Sequence, residues 1–424
     1  MSRDGLRRRD VLVSAAAVGA ASVLGSGLAA RAADDPRAGI DQALRRAVEK
    51  KEVPGVVAMA ASGKGILYQG AFGTRSAAGG AAMTIDTVFR IASMTKAMTS
   101  VAAMQLVEQG KLKLEDPVPA IDPALASPQM LDGFDSAGTP ILRPAKRPIT
   151  LHHLLTHTAG FTYEVWDANT ARYVKASGMP SMSTGKIAAL RLPLEFDPGA
   201  RWEYGINLDW VGRIVEAVSN QPIDVYFREH ILGPLGMKDT GFMTSDEQRA
   251  RQAIVHQRQP DGSLTPQPLE TRQTPEFFSG GGALYSTAPD YLTFVQMLLY
   301  EGAYNGVQIL RPETVALMGK NQIGDLQAGV LKTQQPDRSN DVDFFPGQQV
   351  RWGLGYMLNT EQGPNGRSAG TVSWAGIFNT YYWIDPAKRV GGVIMTQILP
   401  FADVQAVKLY GQFESGVYNA LKAA

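Results

Sequence analysis

Ser93 and Lys96, in the run Ser93-Met94-Thr95-Lys96, set a hydroxyl and an amine at positions i and i+3. On a helix this spacing puts both on one face, within reach of each other. The run follows the strand-like Thr87-Val88-Phe89-Arg90-Ile91. It opens a helical pattern that carries Met98, Val101, Ala102 and Leu106 and closes at Gly110. A helix N-terminus adds partial positive charge that stabilises a developing alkoxide. A second cation or partial desolvation can lower a lysine pKa until it accepts a proton, which makes Ser93 and Lys96 a candidate nucleophile and base; the alternative is a surface serine and lysine that merely share a helix. A second copy of the pattern, Ser183-Thr184-Gly185-Lys186, follows Pro180 in a loop without a preceding strand, and Ser183 reads as a helix N-cap. A third serine, Ser368, stands in Gly366-Arg367-Ser368-Ala369-Gly370. This G-x-S-x-G pattern makes a nucleophile only between a strand and a following helix. Here a polar loop (Glu361 to Asn365) precedes it and strand-like Thr371-Val372-Ser373-Trp374 follows, so Ser368 is a decoy.

Tyr204 precedes a helical stretch from Leu208 to Val218 with Asn207 as its expected cap. A phenol beside an ammonium group can act as a general base. Trp374-Ala375-Gly376-Ile377 lies on a late strand. A strand edge brought close by a glycine can lend a backbone N–H to an oxyanion hole. His153 and His157 stand at i and i+4, but Leu154 is between them where a zinc-site glutamate would be, and no third ligand follows, so no metal is expected. His157 reads instead as a residue near a helix C-terminus, where charge or hydrogen bonding is favourable. Gly280-Gly281-Gly282 lacks the spacing and the preceding strand of a nucleotide-phosphate loop.

The elements that must position these groups follow from the hydrophobic pattern. A helix is expected from Ile40 to Lys51, then a hairpin of Val56–Ala61 and Ile66–Ala71. Residues from about 117 to 270 alternate Pro/Gly-rich loops with short helices and show little strand signal. One of those helices is Leu151–His157, capped by Thr150. Thr287 and Asp290 fit a capping box, and strands follow at Val372–Trp374, Thr380–Ile384 and Val390–Thr396, before a terminal helix. Strands from both chain ends therefore share one sheet, with a helical region inserted between them.

Composition is that of an ordinary globular chain. The 424 residues are 44% hydrophobic and 19% charged, with no cysteine, which excludes thiolate nucleophiles, disulfides and cysteine-held metals. A formal charge of +1 without a basic stripe argues against a nucleic-acid partner. The first 32 residues form an export leader: Arg8-Arg9-Asp10-Val11-Leu12 is of the twin-arginine type, an Ala-rich apolar run extends from Val11 to Ala30, and Ala30-Arg31-Ala32 offers a cleavage site. The competing reading is a membrane anchor, which the weak apolarity of that run disfavours. Cleavage removes five arginines and two aspartates, taking the formal charge from +1 to −2 and leaving a protein in the periplasm or outside the cell without stable membrane insertion.

From about residue 40 to 415 the chain resembles the serine β-lactamase/penicillin-binding-protein superfamily, and within it the class C β-lactamase-like (family VIII) carboxylesterases. The resemblance rests on the order Ser93-x-x-Lys96, Tyr204 and Trp374-x-Gly376. It extends to Leu154-Leu155-Thr156-His157-Thr158-Ala159-Gly160-Phe161, Phe278 to Thr287, Gly353-Leu354-Gly355-Tyr356 and Trp383-Ile384-Asp385-Pro386. It implies an α+β fold, the β-lactamase/D,D-peptidase-like α/β sandwich on an antiparallel sheet, with a mostly helical second domain. On this reading the sandwich takes residues 33–120 and 271–424, and the helical insert 121–270. It implies Ser93 as the acylated nucleophile, Lys96 and Tyr204 sharing its proton, and an oxyanion hole from the N–H groups of Ser93 and Ile377. Trp374, Gly376, Phe161, Tyr163 and Trp166 would border the substrate.

Two departures narrow the substrate. Trp374 replaces the lysine that in β-lactamases holds a substrate carboxylate, and Ile206 stands where an asparagine often follows the tyrosine. Both make the site less polar and favour a neutral, small or apolar carboxylic ester, cleaved without a cofactor. The alternatives are a β-lactamase or D,D-peptidase, a small-amide hydrolase or transacylase on the same residues, or a non-catalytic envelope binding protein.

Overall fold

The computed structural model describes residues 37–423 except 268 and 270–274; the expected export leader falls outside the described residues. Its centre is a seven-stranded antiparallel sheet. In chain order the strands are β1 (Gly55–Ser62), β2 (Gly65–Gly73), β3 (Val350–Trp352), β4 (Met357–Asn359), β5 (Val372–Gly376), β6 (Thr380–Asp385) and β7 (Val390–Met395). They lie in the order β3-β4-β5-β6-β7-β1-β2, so the two chain ends meet where β7 pairs with β1. All residues of β5, β6 and β7 are buried, which fits strands covered on both faces. Helices α1 (Ala38–Glu49) and α6 (Val404–Ala423) pack against each other over β1 and β2, and α5 (Ala288–Leu299) packs on β1, β6 and β7. The expected sandwich is present.

Helix α2 (Thr95–Glu108) is buried along nearly its whole length, because α4 (Asn207–Ser219) packs against it and the sheet lies nearby. The short α3 (Leu151–Leu155) packs on α4 and is capped by Thr150, with His153 returning the bond to the Thr150 N–H. Three expectations need correction. Asn207 is the first residue of α4, not its cap, since its amide is spent on His157 and on the Phe161 carbonyl. Thr287 caps α5, but the Asp290 carboxylate turns away to Thr240 and the Asp239 N–H, so only half a capping box forms. The 117–270 region also holds two hairpins. Gln129–Phe134 pairs with Pro140–Pro144 around a turn in which Asp135 accepts from the N–H groups of Ala137 and Thr139, and Val255–Arg258 pairs with Leu264–Gln267. Their strands are short and only partly buried, so no apolar run announces them.

The G-x-S-x-G stretch is a loop that anchors the sheet. Arg367 is 2% exposed and pairs with Glu414 of α6, while also donating to Asn359 at the end of β4, Ser373 on β5 and Tyr410. The Ser368 N–H is bound by Asp385, and a strand rather than a helix follows, so the stretch lacks the context of a nucleophile elbow. Removing one partner of a buried ion pair strands the other charge, at a cost of about 3–5 kcal/mol. Glu414→Ala should therefore lose about that much in urea unfolding; a loss below about 1 kcal/mol, the range of exposed pairs, would contradict this account of the pair.

Candidate active site

The strand Phe89–Arg90 ends in a single 3-10 turn, Ala92–Met94, that runs directly into α2. Ala92 has φ 42°, a left-handed conformation that non-glycine residues adopt at a cost. The turn lifts Ser93 to the floor of a cavity of about 780 Å3, half-exposed, while Lys96 one turn on is fully buried.

Lys96 Nζ has three neighbours. It lies 2.7 Å from the Gly281 carbonyl, 3.1 Å from Tyr163 Oη and 3.3 Å from Ser93 Oγ. The carbonyl only accepts. Burial and the adjacent Asp209 push the Tyr163 phenol well above its ordinary range, so it keeps its proton and donates it towards Asp209 at 3.4 Å. Tyr163 therefore accepts from Lys96. Two N–H directions of the amine are thus taken, and the third position faces Ser93. Asp209, in the first turn of α4, also accepts from the Ser279 hydroxyl and, at 3.1 Å, from the Gly281 N–H. Burial raises the Asp209 carboxyl above its usual range, with Lys96 opposing. A Cβ on Gly281 would stand 2.3 Å from Asp209 Oδ2, so only glycine brings this carbonyl to the lysine. Asp209, Ser279 and Gly281 went unassigned in the sequence. Their signal was a lone acid in the apolar Leu208-Asp209-Trp210-Val211 and the triple glycine beside it.

Tyr204 is placed differently from expectation. Its ring lies under Lys96, with Nζ 4.8 Å from the centroid, yet its hydroxyl bonds neither Lys96 nor Ser93. Instead Trp374 Nε1–H donates to Tyr204 Oη at 3.0 Å, both groups being buried. Trp374 thus holds the phenol, and neither Trp374 nor Gly376 lines the cavity; the tryptophan is shielded by Tyr204 and Trp352. Gly376 serves the approach of β5: a Cβ there would meet the Ile91 carbonyl at 2.3 Å. This brings Ile377 to the wall of the cavity that Ser93 also lines, and neither of their amides donates to another group among the described residues.

The remaining expected residues divide. Tyr163, Trp166 and Ile206 line the cavity. Phe161 does not; it is buried against Trp210, and its carbonyl receives Asn207. Ser183 lies on the cavity wall in the turn Met182–Thr184, whose cap is Ser181 and not Ser183. His157 carries no charge: complete burial and the nearby Lys96 hold its pKa well below the ordinary imidazole range. Its Nδ1 accepts from the Gly205 N–H, its carbonyl accepts from the Glu203 N–H, and Asn207 Nδ2 lies 2.9 Å from the ring nitrogen. It pins the segment that carries Tyr204.

The same segment holds a pH-sensitive group. Burial, with Asp167 nearby, raises Glu203 to about 7, and burial with Asp167 raises Glu195 to about 7 as well. Both bind a proton more tightly folded than unfolded, so they contribute stability below about pH 4.5 that is lost as pH rises through about 7. Glu203→Gln should therefore gain melting temperature relative to wild type as pH goes from 5 to 8. A difference independent of pH would contradict this.

A family profile described as Beta-lactamase matches residues 40–414. Monacolin J acid methylbutanoyltransferase of Aspergillus terreus is 32% identical over 412 residues, covering 93% of this chain and 98% of that one. Protein Rv1367c of Mycobacterium tuberculosis is 34% identical over 379 residues, covering 87% and 92%. Among solved structures, an Aspergillus terreus simvastatin synthase variant superposes with TM-score 0.80 at 30% identity, covering 94% of this chain and 98% of that one.

Proposed function

This chain belongs to the Beta-lactamase family, in its serine hydrolase and acyltransferase branch, and from that premise we propose that it forms an acyl-enzyme on Ser93 from carboxylic esters. The observation that carries this reading is the Lys96 amine, whose two fixed acceptors leave its third position 3.3 Å from Ser93 Oγ on the floor of an accessible cavity.

The chemistry follows from that geometry. With two positions of the amine held by the Gly281 carbonyl and Tyr163, the third faces the serine, and there the amine can take the Ser93 proton. Ser93 Oγ attacks the ester carbonyl as its proton passes to Nζ. The N–H groups of Ser93 and Ile377 receive the developing oxyanion. Tyr204 accepts from Trp374, so its own O–H remains to protonate the departing alcohol. Water, or a second alcohol, then takes the acyl group, its proton passing to the Tyr204 phenolate while Lys96 returns the first proton to Ser93 Oγ as the acyl bond breaks. Acyl transfer is the activity that the Aspergillus relative is named for, and a cavity of about 780 Å3 has room for an acyl chain and an acceptor together. That volume favours the bulkier, apolar members of the expected ester class over the small ones. We also propose that the protein acts in the periplasm or outside the cell after cleavage beyond Ala32; among the described residues no helix is long and apolar enough to cross a membrane.

Purified protein should turn over p-nitrophenyl butyrate and octanoate well above a chromogenic cephalosporin. Ser93→Ala should lose about a thousandfold or more of that rate and Ser368→Ala little. Faster cephalosporin turnover would overturn the substrate class, and loss in Ser368→Ala alone would overturn the nucleophile. The two phenols separate by leaving group. Tyr204→Phe should cost little on p-nitrophenyl esters, whose leaving group needs no proton, and about a hundredfold or more on ethyl esters. Tyr163→Phe, which frees the lysine, should cost both alike; the reverse pattern would exchange their roles.

A further inference from the structure

The cavity wall carries polar side chains that the acylation chemistry does not use. Glu164 is engaged by the Ser181 hydroxyl at 3.4 Å, and Arg90 donates to the Leu269 carbonyl and lies over the Tyr285 ring. Arg338 and Gln335 differ. Both are half-buried, both line the cavity, and neither side chain has a hydrogen bond, ion pair or ring contact among the described residues. A half-buried guanidinium with all its donors unspent, beside an amide with donors to spare, is matched to an anion with two oxygens.

The backbone holds these two side chains in place. They are the ends of one turn, in which the Arg338 N–H donates to the Gln335 carbonyl at 2.9 Å. Before the turn, the Gln334 N–H donates to the Val165 carbonyl at 2.8 Å. After it, Trp166 Nε1–H donates to Ser339 Oγ at 2.9 Å, and the Phe401 N–H takes the Arg338 carbonyl at 2.9 Å. Val165 and Trp166 are themselves wall residues next to the Lys96 partner Tyr163. The turn is therefore fixed to the same wall as the catalytic lysine's support.

We propose that the turn from Gln335 to Arg338 is a carboxylate subsite, and that the enzyme's preferred esters carry a free carboxylate separated from the scissile carbonyl by an apolar body. This rests on the reading of the cavity as the site of Ser93 acylation. It restores, from a different wall, the positive charge that Trp374 removes from β5, and it replaces the expectation of a neutral substrate.

The test uses two readouts. Turnover of p-nitrophenyl butyrate judges the acylation reading by itself. Binding is measured by titration calorimetry on the Ser93→Ala protein with monomethyl esters of succinic, adipic and sebacic acids, each against its dimethyl ester. At least one half-ester should bind about tenfold or more tightly than its diester, the scale of a hydrogen bond to a charged group. Adding Arg338→Met should bring that ratio to about one, Arg338→Lys should retain part of it, and Gln335→Leu should reduce it. Equal binding of half-esters and diesters throughout, or a ratio unchanged by Arg338→Met, would overturn the proposal even where butyrate turnover is intact. Absent butyrate turnover with a surviving half-ester preference would instead condemn the acylation reading and leave the subsite standing.

Discussion

A lysine taken wholly out of water must have each of its hydrogens received, and much of this molecule is arranged around that requirement at Lys96. One acceptor is the Gly281 carbonyl and another is Tyr163, itself tied to Asp209. The third position is Ser93. Asp209 comes from α4, Gly281 from the glycine run that passes beneath it, and Tyr163 from the loop after α3. Three segments far apart in the chain must therefore be packed correctly before the amine can face the serine. Burying a lysine and a carboxylate this closely is costly unless each is satisfied, and here Asp209 has three donors of its own.

Around this polar centre the surroundings are aromatic. Tyr204 is enclosed by His157, Tyr163, Trp166, Trp352 and Trp374, all within ring-contact distance. Such packing lowers the local dielectric, so the one hydrogen bond that Tyr204 accepts, from Trp374, orients it strongly. Trp374 therefore does two things. It supplies the N–H that fixes the phenol, and it takes away a cation from the strand edge. Positive charge reaches the cavity from the turn at Arg338 instead, held by hydrogen bonds to the wall beside Tyr163.

Much of this was legible in the residues. The order strand, Ser93-x-x-Lys96, helix carried the proposed nucleophile and its neighbour because i and i+3 is a local relation. The late strands and the pairing of the two chain ends followed from continuous apolar runs. Tyr204 was found, but its hydroxyl partner was not, because a tryptophan 170 positions away supplies it. Phe161 and Trp374 were taken for wall residues, since an aromatic side chain reads the same whether it faces a ligand or the core. Asp209 was passed over because a single acid in an apolar helix looks like a solvent-facing break until the helix is seen to be buried on that side. Arg338 gave no signal: its meaning lies in having no partner, which only the folded surroundings reveal.

The central claim is that Lys96 directs its free position at Ser93 and so makes this serine, among the three in suggestive patterns, the nucleophile. Labelling with diethyl p-nitrophenyl phosphate followed by peptide mass mapping tests it in one step. The diethyl phosphoryl group should appear on the peptide containing Ser93 and, in Lys96→Met, should fail to appear over the same interval while the protein remains folded. A label on Ser368 or Ser183, or undiminished labelling of Ser93 without the lysine, would contradict it.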